Sequence, residues 1–417
     1  MKKFWKNYKQ TIILLLSLII GVIVGLIFKD KANILRPFGD LFMNMMFVLI
    51  VPLIFLTLTT SIAKIKQPKR LSKVLTSIVV IFVITSLIAV VIGLVSTYSI
   101  KLVKPEDTNA IKETLTDGSE KNDIELNILE RTVAAISVDD FSAILSKNNI
   151  IALVIISICV GIAINKLGKE AKALEDVLNA ANKVVLKLVD FAYIYAPFGL
   201  GCYFASLIGT FGAEIAVGYA KTFIIYLIVA ILFYIIFYSL YAFIAGGKKG
   251  VKLFWQNILP ATATSISTCS SAASIPVNIK CAKNIGVSND IAETIIPLGT
   301  SFHKDGSIIG SVFKIMFLAY LFGTDVFSFS GITTVIGTAL VANLLITAVP
   351  VGGGTISEMM IISMMGFPVG ALPILTIIAT IIDPPATMLN VVGDASSSML
   401  VARIVDGKDW LEQKKVS

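Results

Sequence analysis

Residues 10–28 read QTIILLLSLIIGVIVGLIF, an apolar run without a single ionisable side chain. A helix that crosses a bilayer needs about 20 mainly apolar residues, because the hydrocarbon core is about 30 Å thick. More runs of this kind follow along the chain, and they restrict the fold more than any other feature. In hydrocarbon, backbone N–H and C=O groups must be bonded internally, which leaves α-helices or closed barrels. Barrel strands alternate apolar and polar residues over short segments, whereas these runs are continuous. The first run is too long for a signal peptide's apolar region and lacks a small-residue cleavage site, so it reads as a retained span. Charged residues make up 15% of the 417, against about 25% in soluble domains. The chain therefore reads as an all-α polytopic membrane protein.

A net charge of +8 would suit a nucleic-acid partner if it were gathered on one face. It is instead spread over loops. Lys2, Lys3, Lys6 and Lys9 precede the first span, and Lys64, Lys66, Lys69, Arg70 and Lys73 follow the second. Lys248, Lys249 and Lys252 follow the sixth, and Lys414 and Lys415 lie in the last residues. Basic loops after even-numbered spans place both termini in the cytoplasm by the positive-inside bias. No nucleic-acid partner is expected. Cys159, Cys202, Cys269 and Cys281 are scattered and suggest neither a metal site nor a disulfide framework. Short loops and many Lys and Ile residues suit a multi-pass protein of a bacterial inner membrane.

Six spans are expected at about 10–28, 36–63, 74–103, 149–165, 176–209 and 214–245, with a polar outer loop over 104–148. The composition changes after residue 253. PATATSISTCSSAASIPVNIK is too polar for a lipid-facing helix and too long for an ordinary loop, and NLLITAVPVGGGTISEMMIISMM carries Pro and three glycines mid-run. Both read as interrupted, re-entrant hairpins, at about 254–283 and 328–363. Irregular backbone at membrane depth is tolerated where it lines a cavity, and paired interrupted segments in two halves mark a binding site. Each hairpin precedes a further span, at about 290–322 and 366–404. The architecture is eight transmembrane helices plus two hairpins, with 254–323 and 328–404 as two copies of hairpin plus helix. A short tail, 408–417, ends the chain.

The last span contains TIIDPPATMLNVVGDASSSML, in which Asp383, Thr387, Asn390 and Asp394 are spaced four, three and four and so share one helix face. A charge at the centre of a spanning helix costs about 2.5–3.5 kcal/mol on insertion scales, so these aspartates face protein or a cavity. They form a stripe suited to a cation or an amine, or a polar network between helices. The preceding span contains PLGTSFHKDGSIIG, with His303, Lys304 and Asp305 in a row between Gly299 and Gly306. The two glycines predict an unwound turn, and Asp305 is a hard oxygen donor for a cation. The chain's only histidine is a poor zinc signal. Ser270, Ser271 and Ser274 in the first hairpin, and Gly352, Gly353 and Gly354 in the second, let backbone N–H groups approach an anion at half-helix N-termini.

This order of hairpin, helix with a DGS turn, glycine hairpin and D-x-x-x-T-x-x-N-x-x-x-D resembles the dicarboxylate/amino acid:cation symporters, the glutamate transporter family. The resemblance covers essentially the whole chain, including the basic N-terminus and Thr85–Ser86, and is most specific over 260–400. CSSAASIPVN is particularly similar to bacterial serine/threonine transporters of that family. The resemblance implies an inverted-repeat elevator transporter that assembles as a homotrimer, each protomer working alone. Spans one and two (1–73) and four and five (149–210) would form a scaffold. The third span (74–103) and residues 211–407 would form the moving transport domain, with the second hairpin as its gate. Asp383 would take a substrate amino group, with Thr387 and Asn390 beside it. Backbone near Ser270, Ser271 and Gly353 would hold the α-carboxylate. One sodium ion would lie at Gly299, Asn390 and Asp394, another at Thr85, Ser86, Asp305 and residue 303. No organic cofactor is implied; the coupling ion is Na+ or H+.

The chain departs from the family pattern in informative places. Acidic-substrate members carry an arginine where this chain has Ala386, and Cys269 stands in the first hairpin where no arginine compensates. A bidentate carboxylate clamp needs that planar fork. A small neutral amino acid is therefore favoured over glutamate or aspartate. The family's N-M-D-G turn reads His303-Lys304-Asp305-Gly306, which places an ammonium where Lys304 could stand in for sodium. His303 could then carry a coupled proton, since imidazole titrates near pH 6.5. Alternatively Lys304 turns away, for example to Glu358, and sodium still binds. Leu344, Leu345 and Ile346 replace small or hydroxyl residues of the second hairpin, and Phe82 replaces a tyrosine. An enzyme is disfavoured by the lack of G-x-S-x-G, H-E-x-x-H or Walker A patterns. A channel is disfavoured because the polar groups cluster in one late region.

Overall fold

The computed structural model describes residues 2–63, 72–98, 100–103, 138, 140–146, 149–211, 213–344 and 353–412. The described chain is helical throughout its regular elements. Six long helices come first: α1 (Lys2–Phe28), α2 (Arg36–Ala63), α3 (Ser72–Tyr98), α4 (Ile150–Leu167), α5 (Lys172–Phe211) and α6 (Ala213–Asn257). The first hairpin is α7 (Leu259–Thr268) and α8 (Ser271–Ile285). The next span is broken into α9 (Asn289–Phe302) and α10 (Asp305–Phe322). The second hairpin is α11 (Phe329–Leu344) and α12 (Gly353–Met365), and α13 (Leu372–Val405) is the last helix. Among the described residues, Thr76–Tyr98, Ile215–Asn257, Asn289–Phe322 and Val369–Val405 are long and apolar enough to cross a membrane.

The helices pack as two groups. α5 lies along α1 and α2, and α2 also packs on α4. Glycines allow the closest approach: a Cβ on Gly21 or Gly25 of α1 would collide with the α5 backbone at Gly201 or Ala205. The second group surrounds α13, which touches α3, α6, both arms of the first hairpin, α9, α10 and α12. Most of α13 is buried, and nearly all of α10. Charge-poor faces of α1, α3 and α6 present Ile, Leu and Val outward, including Ile20, Ile23, Val83, Val91, Ile228 and Ile235. Such rows are stable only against lipid or another apolar surface.

Three irregularities set the geometry of the second group. The third helix ends at Tyr98, short of the expected 103, and Leu102 and Val103 continue into the core as non-helical chain. α6 bends where Gly246 and Gly247 leave helical angles; Gly247 has φ +59°, a left-handed value that suits glycine. α13 continues through Pro384 and Pro385. Neither proline has an N–H, so the carbonyls of Thr380 and Ile381 lose their helical donors beside Asp383.

Candidate functional site

The unwound segment of the seventh span is shorter than the glycines suggested. Gly299 lies within α9 and Gly306 within α10; only His303 and Lys304 leave helical geometry. The glycines serve proximity instead. A Cβ on Gly299 would strike the Asp394 carboxylate, and one on Gly306 would strike the backbone of Ala386. Removing both Cβ atoms lets the broken span press against α13 on either side of the break.

The break also sorts charge. His303 caps the C-terminus of α9, its N–H bonded to the Gly299 carbonyl at 2.8 Å, where a helix end favours a cation. Asp305 opens α10, where a helix N-terminus favours an anion. The His303 ring is fully buried, with Nδ1 bonded to Asp394 Oδ1 at 3.1 Å and Nε2 3.1 Å from Asp305 Oδ1, an ionic contact off the line of a hydrogen bond. Nε2 is also 2.8 Å from Thr85 Oγ1 of α3. When that hydroxyl places its one hydrogen on the carbonyl of Ile81 or Phe82, it accepts from the ring. Phe82 stacks on the imidazole, centroids 4.4 Å apart and planes 15° apart. Tyr238 of α6 donates to the Leu389 carbonyl at 2.6 Å and lies 3.4 Å from Asp305 Oδ2. Among the described residues, Ser86 Oγ, Asp305 Oδ1 and Asp394 Oδ2 are buried without a hydrogen-bond partner. Lys304 is half-buried and within electrostatic range of Asp394.

Of the residues expected around two cations, Thr85, His303, Asp305, Gly299 and Asp394 therefore meet, with Ser86 buried beside Thr85 in α3. Asn390 turns toward Ser307: its Oδ1 accepts from the Ser307 N–H at 3.1 Å, and its Nδ2 donates to Ser307 Oγ at 2.9 Å. Asn278 of α8 ties the first hairpin to α13 by donating to the Val391 carbonyl at 2.7 Å.

Two helical turns toward the start of α13 from Asn390, Asp383 is exposed, unlike buried Asp394 on the same face. Its Oδ1 accepts from Thr387 Oγ1 at 3.1 Å. Ala386 is buried against Gly306. Cys269, at the tip of the first hairpin, has a left-handed backbone (φ 47°, ψ 34°) that ends α7 and lies within electrostatic range of Asp383. Ser270 then caps α8, its Oγ accepting from the Ala273 N–H at 3.2 Å, and Ser271 is the first helical residue. Gly353 opens α12. Each hairpin thus offers a half-helix N-terminus, the arrangement that favours a carboxylate. Leu345, Ile346 and Gly352 lie outside the described residues.

The sequence reading missed a second buried charge pair. Lys314 of α10 has Nζ 3.8 Å from Oε1 of Glu358 in α12, and both are buried. Thr376 of α13 donates to Glu358 Oε2 at 2.8 Å. Glu358 is therefore matched by Lys314, not by Lys304. The signal was present in SVFKIMFLAYLFG, where one lysine interrupts an apolar run.

The profile of the sodium:dicarboxylate symporter family matches residues 11–404. The chain is 24% identical to a proton/sodium-glutamate symport protein of Geobacillus stearothermophilus, over 93% of this chain and 92% of that protein. It is 25% identical to a C4-dicarboxylate transport protein of Bacillus subtilis (strain 168), over 96% and 94%. It is 24% identical to excitatory amino acid transporter 3 of Homo sapiens, over 100% and 89%.

Proposed function

The chain belongs to the sodium:dicarboxylate symporter family, and on that premise we propose that it moves a small neutral amino acid across the cell membrane, with His303 in place of bound sodium. It is a multi-pass membrane symporter, not an enzyme. The observation that carries the proposal is the imidazole of His303 set 3.1 Å from both Asp305 and Asp394. Nδ1 faces the Asp394 carboxylate and Nε2 the Thr85 hydroxyl, so a doubly protonated ring can donate at both nitrogens while it lies beside Asp305. An imidazolium there offsets two buried carboxylates, and Lys304 adds a further positive charge at the break. Coupling to sodium is then weakened or replaced by coupling to a proton.

The substrate reading rests on charge. Asp383 is exposed and suits an ammonium, and the N-termini of α8 and α12 suit an α-carboxylate. Ala386 offers no fork for a second carboxylate. The charge of Lys314 is matched by Glu358, so it does not make the site cationic. The two packing groups support a scaffold of α1, α2, α4 and α5 and a transport domain of α3, α6, both hairpins, α9, α10 and α13, within a homotrimer. Both termini lie in the cytoplasm in this reading.

One observation favours a second reading, ordinary sodium symport: Ser86 Oγ, Asp305 Oδ1 and Asp394 Oδ2 are hard oxygen donors without hydrogen bonds. Uptake into proteoliposomes separates the two. Labelled alanine, serine, threonine, aspartate and glutamate are offered with an inward sodium gradient and with choline, at two pH values. Uptake of a neutral amino acid that persists in choline supports the His303 reading. Collapse of uptake in choline overturns it in favour of sodium symport.

A further inference from the structure

The foot of the first hairpin has no part in the site described so far. There α8 packs on α7 and on α6, and a cavity of about 580 Å³ opens between α8, the start of α7 and the end of α6. Small-molecule sites occupy about 300–1,000 Å³. Pro276, Lys280 and Asn284 of α8 line it, spaced four and four and so on one helix face. Gln256 lines it from the last turns of α6. Among the described residues, the side chains of Gln256, Lys280 and Asn284 make no hydrogen bond, and Lys280 makes no ion pair. Lys283, three residues on, shows the contrast: it is paired with Glu293. No carboxylate is among the residues that line the cavity. Exposed Lys248, Lys249 and Lys252 precede it on the arm of α6 beyond the bend and add to its positive potential. Before the bend, α6 presents Leu240, Phe243 and Ile244 outward, and Leu259 at the start of α7 is 60% exposed. The cavity thus lies where apolar rows give way to lysines, as at the edge of a bilayer.

We propose that this cavity binds a phosphate group, carried by a small solute or by a phospholipid headgroup, with Lys280 as its counter-charge and the Gln256 and Asn284 amides as its donors. The donor set decides the sign of the ligand. An ammonium and two amides, with no carboxylate among them, repel a metal ion or an amine and suit an oxyanion. Lysine binds phosphate as a point charge on a flexible stem, so it needs no fixed fork geometry. Amide N–H groups then supply direction, each giving a hydrogen bond to a separate phosphate oxygen. Because Gln256 belongs to α6 and Lys280 and Asn284 to α8, one bound phosphate would tie the foot of the hairpin to the neighbouring helix. The site is independent of the amino acid assigned to the candidate transport site. It would face the cytoplasm in the reading that places the basic arm of α6 there.

The test reads the thermal unfolding midpoint of the purified full chain in two arms. In neutral detergent, inorganic phosphate is titrated against chloride of equal ionic strength. In nanodiscs, phosphatidylcholine is compared with and without added phosphatidylglycerol. A saturable rise with phosphate assigns the site to a solute, and a rise confined to phosphatidylglycerol assigns it to a lipid headgroup. In either case Lys280→Gln should weaken the effect at least about tenfold, the loss expected for one hydrogen bond to a charged group. Asn284→Asp, which sets a carboxylate in the cavity, should weaken it by a similar factor or more. Lys169→Gln removes an exposed lysine beyond the end of α4 and should leave it unchanged. A rise that is equal in the unaltered protein, Lys280→Gln and Asn284→Asp is the general stabilisation that phosphate gives by exclusion from protein surfaces, and it overturns the proposal. No rise in either arm overturns it as well. If Lys280→Gln gives no folded protein, an undiminished rise in Asn284→Asp overturns it alone.

Discussion

At the scale of single residues, the adjacent His303, Lys304 and Asp305 show what a sequence can and cannot display. Their presence in an apolar run pointed to a candidate functional site, and the spacing of Asp383, Thr387, Asn390 and Asp394 pointed to the helix face opposite it. Which of the three charges points inward was not legible. It depends on two backbone conformations: His303 (φ −122°, ψ 111°) is extended, and Lys304 (φ −143°, ψ 66°) is also non-helical. Successive side chains of extended chain point to opposite sides, so the imidazole is buried while Lys304 is only half-buried. A consequence can be measured without transport. If His303 fills the space of a cation, sodium should leave the thermal unfolding midpoint of the purified protein unchanged. His303→Asn should create a sodium-dependent rise, since a ligand at a hundred times its Kd adds about 2.7 kcal/mol. A sodium-dependent rise in the unaltered protein, absent from the variant, would reverse the assignment. Gly299→Ala tests the close approach. The added methyl strikes the Asp394 carboxylate, so the variant should lose about 1–3 kcal/mol of stability and most uptake, as overpacked sites do. Normal uptake by Gly299→Ala would show that the carboxylate has room to move.

At the scale of elements, the long helices were legible because apolar length alone specifies them, and the hairpins because their polarity and glycines contradict a lipid-facing span. Ends and kinks were harder, since they depend on tertiary partners. The tail, read only as a short cytoplasmic segment, is the clearest example. Within it Trp410 is buried, donating from Nε1 to the Ala245 carbonyl at 2.8 Å. Arg403 reaches the same carbonyl at 3.4 Å. The indole and Leu411 fill the space beside Gly246 and Gly286, so the tail closes the bend of α6 over the end of the first hairpin. Only the tryptophan among the charges of DGKDWLEQKK hinted at this. Trp410→Ala should destabilise the protein by about 3–5 kcal/mol, in the range of buried aromatic deletions. A lower unfolding midpoint in detergent would register this, whereas an unshifted midpoint would mean that the tail merely lies on the surface.

At the scale of the whole molecule, the described residues of the candidate site belong to one chain. Thr85, His303, Asp305, Asp383 and Asp394 come from α3, the broken span and α13 of a single copy, and these elements pack on one another directly. Yet α5 shows a row of exposed apolar side chains, Val177, Val184, Leu188, Phe191 and Ile194, at spacings that share one face. A homotrimer would cover such rows of the scaffold while leaving the α13 group free to move. Its mass in native mass spectrometry should be three times 44.8 kDa. Because these described residues meet within one copy, each protomer is expected to work alone. Mixed trimers reconstituted from unaltered chains and chains carrying Asp383→Asn should then show activity in direct proportion to the unaltered fraction. Closed symmetric assemblies in which subunits must move together would instead lose activity more steeply, because one inactive chain would silence its neighbours. A linear plot together with a threefold mass locates transport in the single chain and assembly in the scaffold. A plot that curves downward places part of the transport cycle in the contacts between copies.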